Sequence, residues 1–136
     1  MNVELPDDRA YHVYDFWQKK YLGVHRQALM LSQPPHATAL LILTTTGSEP
    51  NLIASTFHLA SGYREVKSLE RSHDRLCLEL EKAGRQKGEL VFALTRDWKN
   101  RRVRVNGRRG HGRKIAEGII GVRLSLDERA EVELEA

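Results

Sequence analysis

The sequence predicts an all-β fold, an antiparallel β-sandwich with Greek-key or jelly-roll connections, and three observations lead there. Apolar and polar residues alternate with a period of two through most of the chain. The alternating runs are short, recur about every 8–12 residues and are divided by Gly, Pro, Asn and Ser. The stretch Tyr63–Glu81, where a helix over Tyr63–Arg71 competes, ends in Leu76, Leu78 and Leu80 on one face with Glu79 and Glu81 on the other. About ten short strands without a sustained 3.6-residue pattern make a sandwich or a barrel.

Residues 1–9, with Pro6-Asp7-Asp8-Arg9, read as a leader, and residues 10–136 as one sandwich domain. The first strand is Ala10–Trp17, followed by the turn "QKKYLG". Val24–Leu31 alternates and stops at "SQPP", where Pro34 and Pro35 lock φ and remove two donors. His36–Thr45 is a buried-looking strand that ends at "TGSEPN". Leu52–Ala60 closes at Ser61-Gly62, and Tyr63–Ser72 at His73-Asp74. Arg75–Ala83 and Glu89–Arg96 flank a turn, "GRQKG". Val103 and Val105 share one face of the next strand, and Ile119–Leu126 and Ala130–Ala136 finish the chain.

Composition narrows the function classes. The chain has 136 residues, 40% hydrophobic and 29% charged, which fits one globular domain able to bury a core. No apolar run approaches the ~18 residues of a membrane helix, and the N-terminus "MNVELPDDRAYH" lacks the charged and apolar regions of a signal peptide. The single cysteine, Cys77, has no intramolecular disulfide partner and reads as a small buried hydrophobe.

Catalytic chemistry finds little purchase. Neither a helical His pair nor a CxxC marks a metal site, so no metal or cofactor is expected. There is no G-x-S-x-G nucleophile elbow and no phosphate-cradling P-loop. The carboxylates lie at turns or on polar faces, and no pair stands in an apolar setting that would raise one pKa for glycoside hydrolysis. Asp15, beside Phe16 and Trp17, reads as a hydrogen-bonded structural carboxylate.

The sharpest compositional feature is "WKNRRVRVNGRRGHGRK", Trp98–Lys114, with eight Lys and Arg residues and no acid. Three readings compete. Arg104, Arg108, Arg109, Arg113 and Lys114 can bind a polyanion or nucleic acid in a salt-dependent way. The run can be a solvated hairpin whose charges guard a sheet edge. It can also face an acidic patch of a neighbouring domain or subunit. Trp98 with Asn100, Arg101 and Arg102 suggests a sugar-stacking platform, set against a tryptophan that lids the core.

A further reading comes from ordered motifs. Asp15-Phe16-Trp17, Tyr21-Leu22-Gly23, Pro34-Pro35-His36, Leu40–Leu43, Pro50–Thr56 and His58-Leu59-Ala60-Ser61-Gly62 follow one another in a succession that resembles the C-terminal β-sandwich of α-galactosidase-type glycoside hydrolases. The resemblance covers about Tyr11–Gly62 and continues beyond only as strand rhythm. It implies a non-catalytic accessory domain that packs against a catalytic (β/α)₈ barrel, itself absent from this chain. The partner would be that barrel, with carbohydrate as a second ligand class. Such a domain predicts an exposed apolar patch where the barrel would sit, and a patch-free surface with well-paired edges would count against it. The alternatives are a stand-alone carbohydrate-binding module and a polyanion or nucleic-acid binder. His58 falls where a histidine recurs in the family, and its residue-level reading is a packed, hydrogen-bonded histidine beside the "LASG" turn.

Overall fold

The computed structural model describes residues 2–57, 64–95, 98 and 102–136. These residues are all-β, with no helix, and the sheets are antiparallel, the fold class of a β-sandwich. The chain divides into two compact units, Met1–Thr46 and Gly47–Ala136.

The first unit carries β1 (Asn2–Glu4), β2 (Ala10–Asp15), β3 (Lys20–Arg26), β4 (Ala28–Met30) and β5 (Leu41–Thr45). One sheet has the order β3-β2-β5, and β1 pairs with β4 in a second. Leu5, Tyr11, Val13 and Leu29 form the buried centre, with Val3, Leu22, Leu31, Leu41 and Leu43 packed around it. The segment expected as a leader therefore holds a strand and a core residue. Two expected strands are shorter or divided, for local reasons. Gln27 takes a left-handed conformation (φ 67°) and splits Val24–Leu31 into β3 and β4, while its carbonyl accepts from the Leu5 amide at 2.7 Å. Residues Pro34–Ala37 form a turn closed by the Ala37 amide on the Pro34 carbonyl (3.2 Å), with His36 at φ 62°, so the third expected strand begins only at Leu41.

The second unit carries β6 (Asn51–Ser55), β7 (Val66–Arg71), β8 (Arg75–Ala93), β9 (Arg102–Val105), β10 (Arg108–Arg109), β11 (Arg113–Ala116) and β12 (Ile119–Glu135). β8 and β12 are its spine. They pair along their whole length, from Ile119 opposite Ala93 to Glu135 opposite Arg75. β6 and β7 add to β8, β9 and β11 add to β12, and β10 closes a hairpin on β9. The "GRQKG" signal is thus not a turn between two strands but lies within one.

What those residues do instead is bend the sheet. Asp127 pairs with Arg85 and Glu128 with Lys82, which leaves Ala83 and Gly84 as extra residues in β8. Gly84 adopts φ +86°, and Glu128, paired with Lys82 beside the insertion, φ 63°. Because the insertion is two residues, parity survives it: Leu76, Leu78 and Leu80 before the bulge and Leu90 and Phe92 after it all join one core. Ala130, Val132 and Leu134 oppose the first set, and Ile120 and Val122 the second. Both ends of the spine bury side chains in this single cluster with Phe57, Trp98, Val103, Leu124 and Leu126, so one sheet folded on itself supplies both layers of the sandwich. Gly88 lies under the Phe57 ring, where an added Cβ would stand 2.8 Å from a ring carbon. The Phe57 carbonyl accepts from the Lys82 ammonium and the Gln86 amide, which ties the β6 end to the bend.

Candidate functional site

Of the motifs that carry the family resemblance, Asp15–Trp17, Tyr21–Gly23, Pro34–His36 and Leu40–Leu43 lie in the first unit, and Pro50–Thr56 lies around β6 of the second. Asp15 ends β2, is buried, and its Oδ1 accepts the Gln18 amide at 3.1 Å, capping the turn into β3. The carboxylate is therefore spent on backbone. Phe16 and Trp17 stand edge to face across 5.4 Å, and Trp17 remains 56% exposed. Gly23 within β3 has φ +90°. Val24 and Met30 are further large apolar side chains left in solvent in this unit. His58 lies outside the described residues.

The basic run builds the other candidate. β9 and β10 form a two-residue hairpin at Asn106-Gly107, both with positive φ (52° and 76°), as a type I′ turn demands. The hairpin tip is pinned to β12 twice: the Asn106 amide donates to the Glu131 carbonyl and the Glu131 amide donates to Asn106 Oδ1, each at 2.8 Å. After β10 the chain must cross from the end of β12 near Val132–Glu135, where β9 pairs, to the end near Ile119–Gly121, where β11 pairs. Gly110-His111-Gly112 makes that crossing close against the core. An added Cβ on Gly112 would lie 3.1 Å from Ile120 Cδ1, and one on Gly110 would lie 3.2 Å from Val103 and Val105.

The result is a cleft of about 660 Å³ lined by Arg102, Val103, Arg104, Arg109, Gly110, His111, Gly112 and Lys114. No acid is among the described lining residues. Arg102, Arg104 and Arg109 take part in no ion pair among the described residues, while Lys114 has only the exposed Glu117 at 3.5 Å, a contact worth little in water.

The sequence expectations separate here. Arg104, Arg109 and Lys114 line one cleft, and Arg102 joins them. Arg108 is exposed on β10 and does not line it. Arg113 is engaged elsewhere: its guanidinium donates to both oxygens of Glu89, with Nη2 at 3.0 and 3.1 Å and Nε at 3.3 Å. Arg123 Nε adds a bond to Glu89 Oε2 at 3.3 Å. Glu89 comes from β8 and reaches across β12 over Gly121, whose missing Cβ would lie 2.6 Å from Glu89 Oε2. A side chain at that position would displace the carboxylate, so Arg113 is a cross-strand clamp and not a ligand-facing cation.

Trp98 is the clearest correction. It is 5% exposed within the core, and its indole Nε1 donates to the His73 carbonyl at 2.7 Å. A ring in that position lids the sandwich and offers no face to a sugar. Asn100 and Arg101 lie outside the described residues. Cys77 also departs from expectation. Strand parity turns it to the outer face opposite Leu76 and Leu78, where it is half-buried with Sγ 3.8 Å from Glu131 Oε1. Burial, then the charges of Glu131 and Glu133, push its thiol pKa up, away from a reactive thiolate.

Two polar features had no sequence signal. Glu65 is buried at the start of β7 with neither carboxylate oxygen hydrogen-bonded among the described residues. His12 Nδ1 lies 3.0 Å from the Tyr21 hydroxyl, across the β2–β3 pair, and burial lowers its pKa. Neither meets a second acid or base in a catalytic arrangement, and no group of three or more His, Cys, Asp or Glu among the described residues is placed to hold a metal. No family model, curated protein or solved structure matches the chain.

Proposed function

We propose that this chain is a non-catalytic accessory β-sandwich of the α-galactosidase type, which works by seating against a catalytic barrel and holding it rigid. Support comes mainly from the first unit. The motif order of Tyr11–Gly62 resembles that family, and within its described part the motifs fall on backbone-defining positions: a capped turn at Asp15, a positive-φ glycine in β3 and the Pro34–Ala37 turn. The observation that carries the docking role is Trp17. Trp17 follows a buried, turn-capping aspartate and packs edge to face on Phe16, yet more than half of its surface stays in solvent. Aromatic side chains held in that way are what protein interfaces bury at their centres.

The test is reconstitution. An α-galactosidase-type barrel stripped of its own sandwich is mixed with this chain. Association is followed by sedimentation velocity, and barrel stability by the half-life of nitrophenyl α-galactoside hydrolysis at elevated temperature. The expected result is a 1:1 complex, a longer half-life and shielding of Trp17 from iodide quenching, with Trp17→Ser weakening all three. A chain that sediments alone beside the barrel, with Trp17 still quenched, refutes the reading.

A further inference from the structure

The basic cleft at the sandwich edge is a second feature, independent of the docking proposal. We infer that it binds a short anionic oligosaccharide whose sulfate or phosphate esters are held by Arg102, Arg104, Arg109 and Lys114.

The residues argue first for a tetrahedral oxyanion. Three of the four cations are arginines, whose planar forks donate paired hydrogen bonds to such groups. Arg102 and Arg104 are two apart on β9 and so share one face of the strand, while Arg109 and Lys114 enter from either side of the glycine crossing. Arg102, Arg104 and Arg109 form no ion pair among the described residues, in contrast to Arg113, Arg123, Arg75 and Arg85, although Glu135 and Glu133 stand opposite Arg102 and Arg104 in the β9–β12 register. Unpaired cations around a shared concavity repel one another, and an incoming polyanion relieves that repulsion.

The shape argues for a compact ligand. The cleft is the size of a small-molecule pocket, and Gly110 and Gly112 in its lining pass close to the core, where an added Cβ would press within 3.1–3.2 Å of Val103, Val105 and Ile120. The positive region does not continue along the surface. Glu117 stands beside Lys114, fully exposed, and the groove by the hairpin tip mixes Lys67 and Arg129 with Glu79, Glu81 and Glu131. A nucleic-acid duplex needs a longer uninterrupted basic track. A single strand needs exposed rings on which its bases stack, and the tryptophan adjoining this run is buried in the core. An oligosaccharide needs neither, since its hydroxyls accept from Arg and backbone donors while its esters take the charge.

The experiment is isothermal titration calorimetry of the full chain at 50 and 200 mM salt with four probes: a heparin tetrasaccharide, glucose 1,6-bisphosphate, maltotetraose and a twelve-nucleotide single-stranded DNA. The expected result is binding of the heparin tetrasaccharide or the bisphosphate, weakened by salt, with no heat from maltotetraose. The double variant Arg104→Gln/Arg109→Gln loses about tenfold or more in affinity, as fits two charge-assisted contacts. Arg85→Gln, an exposed arginine at the sheet bend, leaves affinity unchanged, and near-UV circular dichroism establishes that each variant is folded. The two charged sugars separate sulfate from phosphate recognition. Tightest binding by the DNA, equal binding by maltotetraose, an unaffected double variant, or no binding at all overturns the inference. None of these results depends on whether a barrel associates, so this proposal and the docking proposal fail separately.

Discussion

The two units spend their apolar residues in opposite ways. In the second, the β8–β12 spine folds back on itself and sends every even-numbered side chain from Leu76 to Leu80 and from Ile120 to Leu126 into one dry cluster. In the first, a cluster of Leu5, Tyr11, Val13 and Leu29, with Tyr14 buried as well, makes a smaller centre, while Trp17 and Met30, 56% and 76% exposed, stay in solvent. A unit that buries its large hydrophobes carries its own stability. One that exposes them depends more on capped turns and on whatever covers it.

The largest test of that contrast is core truncation. Leu78 is fully buried, opposite Val132 and beside Leu69 across the β7–β8 pair. Leu78→Ala removes buried methyl groups and leaves a cavity in a packed layer, at a cost of about 2–5 kcal/mol. Leu29→Ala, in the smaller centre, is expected to cost about half as much because partly exposed neighbours can collapse into the space. Urea unfolding followed by far-UV circular dichroism gives both midpoints. Equal shifts would mean that the two centres are equally tight and would remove the contrast.

The second test leaves both cores untouched and attacks the cross-strand clamp. Gly121→Ala places a methyl 2.6 Å from Glu89 Oε2, so the carboxylate must shift away from its place between Arg113 and Arg123. Glu89 is largely shielded, with a side-chain exposure of 12%, although both arginines are half or more exposed. The expected loss is therefore modest, about 1–2 kcal/mol. Glu89→Gln in the wild-type background should lose nearly as much, and the double variant little more than either alone. Additive losses would show that the glycine matters for the strand and not for the carboxylate.

How much of this was legible beforehand follows from what periodicity encodes. The alternation of Leu76, Leu78 and Leu80 gave strand, face and core together, because side-chain direction repeats every two residues whatever the fold does at longer range. It did not give strand length. Glycines at 84 and 88 and charges between them look like a turn, yet the two-residue bulge that bends β8 conserves parity and so leaves no mark in the pattern. The site was half legible. A block of cations without acids marks a charged surface, but only folding decides which face which way. Arg113 and Arg104 look alike in sequence. One lies beside Glu89, which is far off in the chain, and the other does not. Trp98 was ambiguous for the same reason, since its acceptor is a backbone carbonyl at His73 with no residue-type signature. Glu65 sits beyond such reasoning, because an acid at a turn gives no hint of burial.

The smallest expected effect is a pH dependence confined to the first unit. His12 is half-buried with its Nδ1 against the Tyr21 hydroxyl, and burial lowers its pKa from the ordinary value of about 6.5. The unfolded chain, where the ring titrates normally, therefore takes up the proton first as pH falls. The neutral ring's contribution to stability is complete above about pH 6.5 and is lost as pH drops through the lower, folded pKa. Carboxylates also titrate in acid, so the test is a difference. Urea midpoints of the wild type and His12→Gln are compared at pH 8 and pH 5, with Tyr21 absorbance or fluorescence as a local probe. The wild type should lose more stability over that interval than the variant, because glutamine keeps a polar group beside the hydroxyl without a proton to gain. Parallel losses in the two proteins would place the acid sensitivity elsewhere and leave the β2–β3 pair a purely structural contact.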